Sequence, residues 1–230
     1  PTTTGAIILG SGADVVDIRN GSVNGDLSFG NGADRLLVSG GAVVTGAINS
    51  GDGNLSINVS KGTLDARQTG VTNLTDLNVG ADGTLVVTLD PASSTNGGFK
   101  VNGTATLADG AGLGVRFNSL VKEPSRFTVI DADTLNLGQI DLPSLETNSP
   151  YAYVVGVDSD VANGQVFIDA RRRTAQEAGM IAAEASAYDV LYDGLSKNET
   201  VRNALLSQTT RDGFFDVYEQ MLPDHSGGPL

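Results

Sequence analysis

The sequence predicts a mainly β fold, a parallel β-solenoid followed by a short α-helical segment. Three observations predict it. A Gly–Asp signature recurs about every 20 residues, apolar residues alternate with polar ones between recurrences, and Ala-rich helical text begins only near Thr174. Composition divides the chain at the same place. Residues 1–170 hold 25 of the 30 glycines, and no tyrosine precedes Tyr151. The division is marked by Arg171-Arg172-Arg173, a basic triplet that reads as solvated surface at a segment edge.

The repeat comes first in the chain. Gly10-Ser11-Gly12-Ala13-Asp14 returns as Gly30-Asn31-Gly32-Ala33-Asp34, and in degraded form as Asp52-Gly53-Asn54. The apolar positions move in step: Val16 with Leu36 and Ile57, Ile18 with Val38 and Val59, Val23 with Val43 and Leu64. Gly21 maps to Gly41 and Gly62 in the same alignment. Alternation at period two reads as half-buried strand. A unit of ~20 residues cannot bury its apolar face alone, so neighbours stack ~4.8 Å apart and each aligned set becomes an internal column. The Gly–Asp text reads as an Asx-type corner. It does not read as a calcium roll, whose nine-residue repeat places carboxylates on adjacent turns.

Later strands are less regular. Leu85, Val87 and Leu89 alternate with Thr84, Val86 and Thr88, and Leu113, Val115 and Phe117 repeat the pattern. Pro91 to Gly98 reads as a loop thrown out of the repeat.

Charge narrows the function. Against 27 Asp and Glu stand 14 Lys and Arg, for a net charge of −13. That opposes binding to nucleic acid, which needs a basic footprint, and to anionic lipid. With no cysteine there is no disulfide, no thiolate nucleophile and no Cys-ligated metal. No apolar run approaches the ~18 residues of a membrane-spanning helix. The chain opens at Pro1 in mid-pattern, and the reading is of a piece of something longer.

Residues 120–170 change character. Phe127-Thr128-Val129-Ile130-Asp131-Ala132, Tyr151-Ala152-Tyr153-Val154-Val155 and Gly164-Gln165-Val166-Phe167-Ile168-Asp169 read as three strands. This order resembles the C-terminal end of the passenger domain of pertactin-like bacterial autotransporters, the type V secretion family. The segment Tyr218-Glu219-Gln220-Met221-Leu222-Pro223-Asp224-His225-Ser226-Gly227-Gly228 is similar to that family's junction between passenger and translocator. Ala187-Tyr188-Asp189 and Ala204-Leu205-Leu206-Ser207-Gln208 look like it too, so the resemblance covers roughly residues 100–228.

The resemblance implies a right-handed parallel β-helix with a C-terminal β cap, followed by a short α-helical segment. It implies three parts: β-helix coils over 1–119, an autochaperone-like cap over 120–170, and a helical linker over 171–230. The cap core would be Phe127, Val129, Tyr151, Tyr153, Val166 and Ile168. The barrel-junction motif would be Tyr218, Met221, Leu222, Pro223, Asp224, His225, Gly227 and Gly228. The implied partner is the chain's own outer-membrane β-barrel translocator, which this sequence does not include, with host or glycan ligands met through upstream passenger. The implied location is the surface of a Gram-negative bacterium, or the medium after cleavage. The implied role is that of a stalk end and a folding-nucleating cap, without catalysis and without a cofactor or metal. An adhesive or glycan-binding solenoid is the alternative, and a polysaccharide-active β-helix enzyme a further one.

The tail carries helical stripes. Ala178, Ile181, Ala182, Ala185, Tyr188, Leu191, Tyr192 and Leu195 recur at i, i+3, i+4 and i+7, which predicts one apolar face. Ser196 with Glu199 predicts a capping box opening a second helix. Val201, Ala204 and Leu205 give that helix a face, which Phe214, Phe215, Val217, Tyr218 and Met221 continue. The first helix is expected to dock, and the end of the second to be exposed as a junction.

Chemistry is sparse. There is no Gly-x-Ser-x-Gly elbow and no phosphate loop. The single histidine, His225, lies in the junction text. Carboxylate pairs at Asp131/Asp133, Asp158/Asp160 and Asp14/Asp17 permit glycosidase-type acid–base work in principle. Without Trp, and with only Phe29, Phe99 and Phe117 as aromatics before residue 127, a sugar-binding platform is lacking.

Overall fold

Short strands end wherever glycine or an Asx turn interrupts an aliphatic run, and this text interrupts often. The computed structural model describes residues 1–93 and 97–222. Among the described residues, thirteen strands precede residue 118: β1 (Thr2–Thr4), β2 (Ile7–Ile8), β3 (Val15–Ile18), β4 (Ser22–Asn24), β5 (Leu27–Phe29), β6 (Asp34–Val38), β7 (Ala42–Gly46), β8 (Ile48–Ser50), β9 (Leu55–Ala66), β10 (Val71–Leu74), β11 (Asp76–Leu89), β12 (Gly98–Leu107) and β13 (Gly112–Phe117). The fold is mainly β, with one large, mostly parallel sheet and a second, three-stranded parallel sheet of β2, β5 and β8.

Registers follow the repeat. Val16 pairs with Leu36, Leu36 with Ile57, and Ile57 with Leu77, at separations of 20, 21 and 20 residues. The interval then widens to 28 at Ala105 and 30 at Leu135. Ile18, Val38, Val59 and Val79 form a second column. Leu36, Val38, Ile57, Val59, Leu77 and Val79 are buried, whereas Val16 and Ile18 in β3 are half-buried. Leu85, Val87 and Leu89 face Leu113, Val115 and Phe117 in parallel register.

One expected column shifts by a residue. Val23 pairs with Val44, not Val43, and Val44 with Leu64. Gly62 faces Ala42, so Gly41 lies outside the Gly21 column. The cause is one extra residue at the turn, where Gly40 and Gly41 both take positive φ, 61° and 85°. Val43 is displaced to the outer face and is 41% exposed.

The recurring Gly–Asp corners tie each turn to the next. Asp34 Oδ1 accepts from the Asp14 amide at 2.9 Å, and Asp52 accepts from the Gly32 amide at 2.9 Å and the Asn54 amide at 3.0 Å. These donors hold the Asp52 carboxyl below its usual range. Gly30 recurs because its turn lies against the Gly10 carbonyl. A Cβ there would sit 1.7 Å from that oxygen. Of the loop expected over Pro91 to Gly98, Pro91–Ser93 form a turn; residues 94–96 lie outside the described residues.

The parallel order ends at β14 (Ser125–Leu137), whose second half pairs in parallel with β12. Next come a short helix, α1 (Leu142–Thr147), then β15 (Tyr153–Asp160) and β16 (Gln165–Arg172). α1 lies on the glycine face of β13, where a Cβ on Gly114 would be 2.4 Å from the Asn148 Cβ. β16 pairs antiparallel with both β14 and β15. The tail folds as α2 (Ala175–Ala178), α3 (Ala182–Gly194), α4 (Glu199–Leu206) and α5 (Arg211–Tyr218). One core runs from Leu27 to Tyr218.

The tail is more broken than its stripes predict. Gly179 takes a left-handed φ of 73° and closes α2, so Ala178 and Tyr188 belong to different helices. Ile181 becomes the exposed N-cap of α3. Asn198, not Ser196, caps α4, its side chain accepting from the Val201 amide at 3.1 Å. Ser196 instead donates to the Asp193 carbonyl. Thr210 caps α5 in the same way, so the aromatic run is a separate helix. Among the described residues no helix is long and apolar enough to cross a membrane.

Candidate functional site at the hairpin and helix junction

The place where parallel pairing stops is also where the aromatic residues gather. β14 presents Phe127 and Val129 inward, at 4% and 2% exposure. β16 lies along its N-terminal half, with Phe127 opposite Ile168 and Ile130 opposite Val166. Register shifts between Thr128 and Ile130, a bulge that bends the strand locally. The β15–β16 turn is built by Asp160, whose side chain accepts from the Asn163 amide. Gly164 completes that turn with φ of 72°, and a Cβ there would lie 1.8 Å from the Ala132 carbonyl oxygen. Only glycine fits both demands.

Tyr153 ties this hairpin to the helices. Its ring meets Phe117 edge-on at 4.9 Å, and Phe117 in turn meets Phe127 at 6.0 Å. Its hydroxyl accepts from the Val121 amide at 3.2 Å and lies 3.0 Å from the Tyr192 hydroxyl. Tyr192 also sits 2.8 Å from the Val121 carbonyl. Each phenol has one proton. Tyr192 donates to the carbonyl, which leaves Tyr153 to donate to Tyr192 and closes a three-bond ring. Burial pushes the pKa of both phenols upward. They are held as donors.

The remaining tyrosines join the same cluster. Tyr188 donates to the Arg173 carbonyl at 3.0 Å and Tyr218 to the Glu184 carbonyl at 2.7 Å. Burial raises both to about 12. Tyr151 packs on Phe214 at 5.6 Å, and Phe214 stacks on Tyr218 at 5.7 Å. All five tyrosines of the chain therefore meet at one junction.

The arginine triplet is the clamp. Arg171 makes two 2.7 Å bonds to Glu177, which is drawn down to about 2 chiefly by that arginine. Glu177 also closes a capping box with Thr174, so the end of β16 is fastened to α2. The Arg172 guanidinium lies over both Tyr188 and Tyr192, 4.7 and 4.6 Å from their centroids, and pairs with Asp189. Arg173 covers Tyr151 at 4.6 Å and donates to the Tyr151 and Tyr153 carbonyls at 2.9 and 3.3 Å. The triplet is thus half-buried and engaged at a junction, not the freely solvated edge expected of it. Its signal was present: tyrosines at 188 and 192, one helical turn apart, make a two-ring seat for one guanidinium.

Phe127, Val129, Tyr153, Val166 and Ile168 are buried together here, and Tyr151 is half-buried beside them. Of the expected junction motif, Tyr218 is 1% exposed, while Met221 and Leu222 are half-buried against the core. That corrects the expectation of an exposed end at this point, because Phe214 and the Tyr218 hydroxyl anchor it. Pro223, Asp224, His225, Gly227 and Gly228 lie outside the described residues.

Four of the six paired carboxylates are engaged structurally, Asp17 with Arg19 and Asp160 with Asn163 among them. Asp131 pairs with Lys100 at 3.0 Å, and Asp158 and Asp169 share Arg126, each at 2.7 Å. Among the described residues no group of three His, Cys, Asp or Glu is placed to hold a metal. What the junction supplies is mechanical: protonated phenols, satisfied guanidiniums and packed rings that fix a hairpin across the end of a parallel sheet. No family model, no curated protein and no solved structure matches the chain.

Proposed function

We propose that the chain is the C-terminal part of an autotransporter passenger displayed at, or released from, a bacterial outer membrane. In this reading residues 1–119 are coils of a right-handed parallel β-helix, and β14 to β16 with the helices form its cap. The cap closes one end and nucleates folding of the coils before it. The partner is an outer-membrane β-barrel of the same protein.

One observation carries the reading: the edge of β14 beyond the parallel stack is taken by the antiparallel β16–β15 hairpin, which the tyrosine–arginine junction locks to the helices. Open strand edges template aggregation, and repeat arrays need atypical terminal units to stop it. Crossovers of 20–21 residues between parallel strands favour a right-handed path. Nucleation is the slow step of such an array, and a preformed end lowers it. A coil that has folded outside the membrane cannot slide back, so folding biases export. The charge of −13 keeps the emerging chain soluble.

Refolding tests the cap. A chain ending at residue 119 is expected to aggregate or to refold at least about tenfold more slowly than the full chain, a loss of about 1.4 kcal/mol from the transition state. Cooperative refolding at an unchanged rate overturns the capping role. The coding sequence after Leu230 tests the family: alternating strands of about 10 residues support it, and a stop codon or a soluble domain contradicts it.

A further inference from the structure

Arg202 on α4 is held by one long, exposed ion pair and has a buried nitrogen without a hydrogen-bond partner. Its side chain is only 16% exposed, yet its nearest carboxylate is Glu199, 3.8 Å away and 78% exposed. Its Nε is buried and has no hydrogen-bond partner. A desolvated guanidinium is ordinarily paired and hydrogen-bonded, because removing the charge from water is expensive. Arg126, Arg171 and Arg172 meet that rule, each with a carboxylate within 2.7 Å, and Arg173 bonds to two backbone carbonyls.

Arg202 borders a cavity of about 490 Å³ between the turn after β11, the β13–β14 connection and the turn before α4. Lys122, which is exposed, lines it together with Ser119 and Ser196. Leu120 supplies apolar wall. The volume lies within the range of small-ligand sites, which combine an apolar wall with a few convergent polar groups.

We propose that this cavity binds a small ligand through a single carboxylate, paired with Arg202 and Lys122. Guanidinium and carboxylate match in shape and charge. A monoanion is selected over a phosphate dianion because Glu123 lines the same cavity and Glu199 flanks the arginine. The carboxylate belongs to an acidic sugar or to a peptide C-terminus. The site does not depend on the capping role proposed above.

The full chain, labelled with ¹⁵N, tests this by NMR, reading the Arg202 Nε–Hε signal and the amides of residues 119–123. Sodium glucuronate, N-acetylalanine and phosphate are titrated separately. A saturable shift with either carboxylate, at a Kd of about 1 mM or below, is expected, and the tighter of the two names the source. Arg202→Met is expected to weaken binding at least about tenfold. Lys122→Ala, at an exposed position that leaves the fold intact, is expected to weaken it about two- to fivefold. Linear, unsaturated shifts with both carboxylates overturn the proposal, as does unchanged binding in the Lys122 variant. Phosphate binding more tightly than either carboxylate overturns the choice of a monoanion.

Discussion

The parallel stack and its closed end hold together by different means. In the stack, Leu36, Ile57 and Leu77, or Val44, Leu64 and Leu85, repeat nearly the same contact along one column. A strand moved by one whole period would meet almost the same neighbours. Periodic packing therefore supplies stability but little information about where the array stops. At the closed end nothing repeats. Tyr153 has one ring partner in Phe117 and one hydrogen-bonded ring with Tyr192 and Val121, and Arg172 has one pair of seats. In the proposed reading that end specifies a boundary, and through it the register of what is stacked on it.

The contrast can be broken most severely by removing the joint. Tyr153→Ala is expected to destabilise by about 3–5 kcal/mol, as other large aromatic truncations do. Leu64→Ala, in the stack, is expected to cost about 2–5 kcal/mol. Kinetics separates the two. If the closed end forms first, Tyr153→Ala slows refolding, whereas Leu64→Ala mainly speeds unfolding. Stopped-flow chevrons of both variants read this directly, and the reverse partition would contradict the account.

Next in size is the arginine clamp. Arg172→Met keeps the bulk of the side chain but removes a cation from two tyrosine faces. A loss of about 1–3 kcal/mol is expected, with faster amide exchange in α3 and little change in β3 to β9. Equal acceleration in both regions would show that the clamp does not act locally.

Alkali probes the same phenols. Tyr188 and Tyr218 titrate near 12 in the folded chain against 10.0 when free. Folded-state pKa values raised above the unfolded ones give stability that is complete below about pH 10 and lost as pH rises from 10 to 12. Denaturant midpoints are expected to fall across that window, alongside delayed phenolate absorbance. A flat stability profile between pH 10 and 12 would show these phenols to be free.

The smallest effect is expected at the surface. Arg126 bridges Asp158 and Asp169 and lies 5.1 Å over Phe167, but its side chain is 51% exposed. Arg126→Gln is expected to cost about 0–1 kcal/mol, and less at high salt. A loss as large as that of the Arg172 variant would mean that exposed pairs define the closed end as much as buried ones.

The periodic part was more legible in the sequence than the aperiodic part, for a physical reason. The columns of Leu36, Ile57 and Val59 could be aligned because the same burial recurs at a fixed interval. The Val43 column was misplaced by one because Gly40 and Gly41 are interchangeable on the page, and only backbone φ shows that both occupy the turn. The helical stripe from Ala178 to Leu195 looked continuous because periodicity does not register a left-handed Gly179. The buried strands Phe127–Ala132 and Gln165–Asp169 carried a clear β signal. The Arg171–Arg173 triplet carried only the faint signal of two tyrosines one helical turn apart, since guanidiniums read as surface until their ring partners, 16 to 22 residues distant, are folded against them.

Pulse-labelled hydrogen exchange during refolding of the full chain tests the central claim most directly. Amides of β14, β15 and β16 are expected to gain protection first, followed by β12 and β11, and last by β3 to β6. Protection that appears first in β3 to β6, or in all strands together, would contradict a fold that grows from its closed end.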